Sequence, residues 1–357
     1  MFSFAIFDFV DNWPTGWQLA SYVVGLALGV FCLVKFCNWF VDASGAIAQK
    51  LKISPLIIGL TIVAMGTSLP ELAVSTSDSI SCIVAGNGAH ANVAIGNVVG
   101  SNICNLLLVL GFSVVFTPIV VKKNNLKREF PILLGVTAVV VVFICLFGLV
   151  NVVGDVAITR WEAIILAVGI VAYIAYLVYS AKHHPEELDV EAEQINDIPW
   201  WKAILFVILG AAGIILGGEL VVFGAKGLAL QGANALHVDK DLAESLVGLT
   251  IVAVGTSLPE LVTSTIAAKK GQNEIALGNV IGSNIFNSLF VLGIAGTVNP
   301  LTSGNQVIVD AAIMLAMTAL VFVMSLKGKL KRAHGVVLLC CYAAYLTYLI
   351  LRTVLGK

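Results

Sequence analysis

The sequence predicts an all-α integral membrane protein of ten transmembrane helices, arranged as two inverted five-helix repeats. Three observations carry this prediction. Hydrophobic residues make up 59% of the chain and charged ones 11%, with a mean hydropathy of +0.99, a composition suited to hydrocarbon and not to water. One phrase occurs twice, GLTIVAMGTSLPELAVST at 59–76 and GLTIVAVGTSLPELVTST at 248–265, identical at fifteen of eighteen positions. Lys and Arg, finally, gather in alternate loops.

A helix needs about twenty apolar residues to cross about 30 Å of hydrocarbon. Segments of that kind run over 17–48, 54–81, 91–118, 130–150 and 159–180, then over 200–229, 242–268, 273–298, 306–326 and 333–354. The polar stretch AKHHPEELDVEAEQINDIP at 181–199 separates the two groups of five. The chain therefore divides into a first repeat at 1–180, an acidic linker at 181–199 and a second repeat at 200–357. An odd number of crossings per repeat makes the second copy enter from the opposite side, so the repeats are inverted. The loops on one side hold fourteen basic residues, among them Lys122, Lys123, Lys127, Arg128, Lys269, Lys270 and Lys331; the other side holds Arg160, Lys240, Arg352 and Lys357. The positive-inside rule then puts both termini outside the cytoplasm and the central loop within it.

The N-terminus lacks the basic flank and cleavage site of a secretory signal and is read as retained. Seven cysteines, Cys32, Cys37, Cys82, Cys104, Cys145, Cys340 and Cys341, lie mostly inside apolar spans. Their spacing suggests neither a disulfide framework nor a zinc site. The formal net charge of −1 says nothing about partners, because the membrane segregates the charges; neither a nucleic acid nor a protein partner is expected.

The chemistry lies in GTSLPE. A carboxylate at the bilayer centre costs on the order of 2.5–3.5 kcal/mol, so an intramembrane acid marks a functional site by default. Here there are two, Glu71 and Glu260. Thr67 and Ser68 precede Glu71 by four and three residues, which places their oxygens on one helix face; Thr256 and Ser257 stand likewise before Glu260. Pro70 and Pro259 would kink their helices and free the carbonyls of Gly66 and Gly255, a disruption tolerated at membrane depth only beside a protein-buried or watery cavity. A second phrase follows each first one, GNVVGSNICNLLLVLG from Gly96 and GNVIGSNIFNSLFVLG from Gly278. Ser101 with Asn105, and Ser283 with Asn287, share helix faces at four-residue spacing. The pairs Gly96–Gly100 and Gly278–Gly282 permit close helix approach. All-oxygen ligation suits a hard cation, Ca²⁺ or Na⁺, and two carboxylates match the charge of one Ca²⁺.

Other charges are read as structural. Lys35 with Asp42, and Glu219 with Lys226, each seven apart within a span, are expected to neutralise one another or to reach an interface. The acidic run from Glu186 to Asp197 matches no EF-hand spacing and is read as a solvated loop.

The duplicated GTSLPE and GNxxGSNxxN phrases on two five-helix halves resemble the alpha repeats of the calcium/cation antiporter superfamily, most closely its prokaryotic sodium/calcium exchanger branch. The resemblance covers essentially the whole chain. It implies an antiporter, not an enzyme, in the cell (inner) membrane of a prokaryote, exchanging Ca²⁺ for Na⁺ by alternating access, with those ions as cargo and no cofactor. Helices 2, 3, 7 and 8 would surround midplane sites, and helices 1 and 6, long and tilted, would slide across them. Carried onto this chain, the family's Ca²⁺ ligands fall on Thr67, Glu71, Thr256 and Glu260. Its Na⁺ ligands fall on Ser68, Glu71, Ser101, Asn105, Ser257, Glu260, Ser283 and Asn287, joined by the carbonyls of Ala64 and Ala253; Asn105 and Asn287 stand with the glutamates around the metal. One position departs: well-known sodium/calcium exchangers commonly carry Asp where this chain has Asn287, which puts sodium coupling and stoichiometry in question.

Proton-coupled or K⁺-dependent Ca²⁺ antiport is the nearest alternative, since a glutamate buried without a cation can hold a proton instead. A cation channel is another class, against which the proline-broken inverted repeats speak. An intramembrane hydrolase would need a base beside Ser68 or Ser257, and the five histidines, His90, His183, His184, His237 and His334, lie near helix ends or in loops.

Overall fold

The computed structural model describes residues 10, 13–84, 91, 93–150, 156–183, 198–236, 247, 253–304 and 306–355. The acidic run Glu186–Asp197, the N-terminal nine residues, His90, His184, His237, Lys240, Lys357 and most of the first part of the seventh expected span lie outside them.

The first half runs through α1 (Thr15–Leu51), α2 (Pro55–Thr67), α3 (Leu69–Val84), α4 (Val93–Phe116), α5 (Glu129–Val150) and α6 (Arg160–His183). The second runs through α7 (Trp200–Ala235), α8 (Ala253–Thr256), α9 (Leu258–Lys269), α10 (Asn273–Val298), α11 (Gln306–Ser325) and α12 (Arg332–Val354). Eight of the described helices are long and apolar enough to span a bilayer alone, and α2 with α3, bent by 46°, makes a ninth crossing. The tenth expected crossing is represented by α8 and α9. Helix ends follow local chemistry. Ser54 Oγ accepts from the Leu56 amide at 3.3 Å and Pro55 opens α2, an N-cap with proline at the first turn. Lys52, at φ 55°, closes α1 with its N–H on the carbonyls of Ala48 and Gln49.

The two longest helices, α1 and α7, pack along each other in opposite directions. Gly25 lies against Phe223, Gly29 against Val221, Leu33 against Gly217 and Phe40 against Gly210. A Cβ on Gly29 would sit 2.6 Å from the Val221 amide nitrogen, and one on Gly217 2.8 Å from that of Leu33, so glycine here is what lets the backbones meet. Since α1 and α7 open the two repeats, their antiparallel packing expresses the inversion directly. Two short ribbons repeat it. Ile119–Val120 (β1) pairs with Lys329–Leu330 (β4), and Val156–Ile158 (β2) pairs with Leu301–Ser303 (β3), both antiparallel. They lie at opposite membrane faces, because α5 runs between β1 and β2.

The core is built from α4 and α10, the helices of the second phrase. Their most apolar stretches are 78% and 94% buried, against 22–33% for the other six long helices, whose outward residues, such as Phe31, Val168 and Ile208, face lipid. Gly278 and Gly282 seat α10 on α2, where a Cβ would meet the Leu56 carbonyl or the Ala64 side chain at 2.7 Å. The segment expected to meet Gly96 and Gly100 lies outside the described residues. Of the two expectations for Lys35 and Asp42, mutual pairing is not what forms: Asp42 bridges to Lys270 at 2.6 Å, while Lys35 Nζ sits 5.4 Å from the centroid of Trp39. All seven cysteines are free.

Candidate functional site

The chain breaks its helix at Ser68, with φ −86° and ψ 6°, and at Ser257, with φ −89° and ψ 3°, immediately before the leucine and proline that start the next helix. Proline removes the amide that would continue the ladder, so the chain re-enters helix one residue later. Glu71 and Glu260 then fall in the first turns of α3 and α9, where the positive end of the peptide dipoles favours an anion. Both are fully buried.

Each carboxylate is held by one oxygen. Ser101 donates to Glu71 Oε1 at 2.8 Å and is itself 2.9 Å from Ser257 Oγ. Glu260 Oε1 accepts from Ser68 at 3.2 Å and from Ser283 at 3.4 Å. The contacts cross between repeats: Ser68 of the first reaches the acid of the second, Ser257 joins the serine that holds Glu71, and Thr67 and Thr256 lie beside Glu260 and Glu71 respectively. The structure thus gathers these residues in two hydrogen-bonded clusters, Glu71 with Ser101 and Ser257, and Glu260 with Ser68, Ser283 and Thr67, with Thr256 half-buried beside Glu71.

The remaining residues fall as follows. The Ala64 carbonyl accepts from the Ser68 amide at 3.0 Å and from Thr67 Oγ1 at 3.3 Å. Ala253 opens α8. Asn105 and Asn287 are buried, and each begins a single wider turn in its helix: the Leu110 amide bonds to the Asn105 carbonyl and the Leu292 amide to that of Asn287, five residues back. Such π turns often mark functional positions. Oxygens without a hydrogen-bond partner among the described residues collect here, namely Glu71 Oε2, Glu260 Oε2, Asn287 Oδ1 and Asn105 Oδ1. Buried polar atoms are normally paired, so four such oxygens in these four side chains are what a hard cation would complete.

The structure adds residues that spacing alone did not single out. Asn97 Nδ2 donates to the Glu71 backbone carbonyl at 3.4 Å and to Ser75 Oγ at 3.1 Å. Asn279 Nδ2 repeats this on the Glu260 carbonyl at 3.5 Å and on Ser264 at 2.8 Å, and its Oδ1 accepts from Thr67 at 3.1 Å. Each asparagine therefore clamps the turn that carries the acid. The signal was present, since Asn97, Asn279, Ser75 and Ser264 stand at matching places in the two copies.

The sequence profile described as sodium/calcium exchanger protein matches residues 21–182 and 202–351. The chain belongs to the sodium/calcium exchanger family. It is 37% identical over 331 residues to the CaxA protein of Alkalimonas amylolytica, covering 89% of this chain and 95% of that one. To the sodium/calcium exchanger MaX1 of Methanosarcina acetivorans it is 32% identical over 358 residues, covering 91% and 97%. Among solved structures it resembles the sodium-calcium exchanger NCX_Mj soaked with Na⁺ and Sr²⁺, with a TM-score of 0.73 and 31% identity over 92% of this chain and 98% of that one. A membrane-embedded exchanger fold shared along almost the whole length agrees with the repeats, the broken helices and the buried acids.

Proposed function

We propose that this exchanger-family chain moves Ca²⁺ against Na⁺ across a prokaryotic cell membrane by alternating access, with Glu71 and Glu260 holding the cation load. The observation that carries the reading is the pair of fully buried carboxylates, each with one oxygen in a serine hydrogen bond and the other without a hydrogen-bond partner among the described residues. Thr67, Ser68, Ser101, Asn105, Thr256, Ser257, Ser283 and Asn287, with the carbonyls of Ala64 and Ala253, supply neutral oxygens around them. Two negative charges in low dielectric are tolerated when compensated, so Ca²⁺ and Na⁺ compete for overlapping oxygens and loaded forms cross between the openings.

Residues 1–180 and 200–357 act as the two inverted halves, joined by the linker 181–199 on the cytoplasmic side, with both termini outside. Helices α1 and α7 slide over the core to switch access. Protons are a second coupling ion favoured by one observation: Asn287 leaves the group with two carboxylates, each of which can hold a proton in place of a cation. Radiolabelled Ca²⁺ uptake into Na⁺-loaded proteoliposomes, at clamped pH and voltage, separates the drivers. Uptake that needs internal Na⁺ and disappears in Glu71→Gln supports sodium/calcium exchange, and uptake that follows a proton gradient alone overturns it.

A further inference from the structure

A carboxamide serves a cation only through its oxygen. Turned by half a rotation, asparagine presents an NH₂ group, a donor that repels the ion. An aspartate at the same place has no such problem, because both of its ends accept. This chain carries Asn at 287 and must therefore decide which end faces the site.

We propose that Asn102 is a positioning residue that fixes the carbonyl end of Asn287 toward the transported cation. Asn102 Nδ2 meets three groups of α10 and α11: the Asn284 carbonyl at 3.4 Å, Ser288 Oγ at 3.0 Å and Met314 Sδ at 3.6 Å. A carbonyl and a thioether can only accept, so the NH₂ end of Asn102 must face them and its Oδ1 must face the other way. There it lies 3.2 Å from Asn287. Against an acceptor oxygen, Asn287 has to present Nδ2, which leaves its Oδ1, buried and without a hydrogen-bond partner among the described residues, as the end offered to the ion. One backbone carbonyl thus sets one amide, and that amide sets the next.

The first repeat lacks this relay. Asn284 occupies in its phrase the place of Asn102, and Asn105 that of Asn287. Leu106 stands where the second copy has Ser288, and both carboxamides, of Asn284 and of Asn105, are buried without a hydrogen-bond partner among the described residues. Among the described residues, the same pair of side chains is hydrogen-bonded on one side of the site and not on the other.

The proposal rests on the reading of Asn287 as an ion ligand, and a double-mutant cycle tests it. The half-saturating Ca²⁺ concentration for Na⁺-driven uptake is measured in proteoliposomes for the wild type, Asn102→Ala, Asn287→Asp and the double variant, with Asn284→Ala as the mirror control. Asn102→Ala is expected to raise that concentration about tenfold, the loss of one oriented dipole, with a smaller change in maximal rate. In the Asn287→Asp background the same change is expected to shift it less than about twofold, since a carboxylate needs no orienting. Asn284→Ala is expected to leave it within about twofold of wild type, its side chain having no hydrogen-bond partner among the described residues. An equal shift in both backgrounds, or an equal cost from Asn284→Ala, would show Asn102 to be mere packing and overturn the proposal. If Asn102→Ala does not fold, Asn102→Ser, which keeps an accepting hydroxyl, replaces it: an intermediate shift confined to the wild-type background supports the relay, and the same shift in both backgrounds overturns it. Wild-type protein that shows no Na⁺-driven uptake at all sinks the exchange reading itself, a separate outcome.

Discussion

The two halves of the site carry the same residues and do not make the same bonds. On the Glu260 side, Ser68 and Ser283 share one carboxylate oxygen, Asn279 receives Thr67, and Asn287 is tied to Asn102. On the Glu71 side, Ser101 donates to the acid and Thr256 lies beside it, while neither polar end of Asn105 has a hydrogen-bond partner among the described residues. Duplication supplied a two-fold backbone, while a single change outside the acid-bearing phrase, Leu106 against Ser288, gives Asn102 an acceptor that Asn284 lacks. If Asn287 and Asn105 are ion ligands as proposed, such a site would offer one preset neutral ligand and one that must be ordered as the ion arrives.

The comparison is broken most decisively at the acids. Glu71→Gln and Glu260→Gln each remove half of the site's charge, at a cost on the order of 3 kcal/mol or more, about a hundredfold in Ca²⁺ affinity. Both are expected to abolish Ca²⁺ flux while eluting normally on size exclusion; full exchange by either would show that the two carboxylates do not share one load. Next in size are the clamps. Asn97→Ala and Asn279→Ala leave an acid-bearing turn untethered and a buried serine unpaired, worth roughly 1–3 kcal/mol, and are expected to slow uptake about tenfold or more with little change in expression. Equal losses would mark the clamp as common to both halves.

Added charge sharpens the contrast further. Asn287→Asp is expected to tighten Ca²⁺ binding and to alter the charge moved per cycle, read as a shift in reversal potential. Asn105→Asp should gain less, because its side chain pays about 0.5–1.5 kcal/mol to be ordered; isothermal titration of the two variants makes the comparison, and equal gains would refute a preset half. The smallest effect belongs to Ser75→Ala and Ser264→Ala, which remove one hydrogen bond behind each acid, about 1 kcal/mol, visible as a modest loss of thermal stability in detergent.

Much of this was legible in the sequence because the bilayer writes its demands in one dimension. Spans appear as apolar runs, and α1 at Thr15–Leu51 and α12 at Arg332–Val354 differ from the expected 17–48 and 333–354 by a few residues. The paired GTSLPE phrases located the helix breaks and the acids. What escaped depends on distance along the chain. Asp42 finds Lys270 across 228 residues, beyond any helical spacing. The ribbons join loops as far apart as Ile119 and Leu330. The π turns at Asn105 and Asn287 involve no unusual residue, only a hydrogen bond one position longer. Asn97 and Asn279, next to GxxxG glycines in the second phrase, carry no sequence signal beyond their repetition for their hydrogen bonds to the acid-bearing turns.

The antiparallel lie of α1 and α7 bears on how the protein answers to voltage. A helix moving along the membrane normal carries its dipole, equivalent to about half an elementary charge at each end, through the field, and a full charge crossing 100 mV exchanges about 2.3 kcal/mol with it. Joined head to tail along their glycine seam, the two helices present opposed dipoles. Deep in each helix the charges come in opposite pairs, Lys35 with Asp42 and Glu219 with Lys226, while Lys50 and Lys202 stand near helix ends. If the pair slides as a unit, the opposed dipoles and paired deep charges would move little net charge through the field, leaving the membrane potential to act mainly on the transported ions.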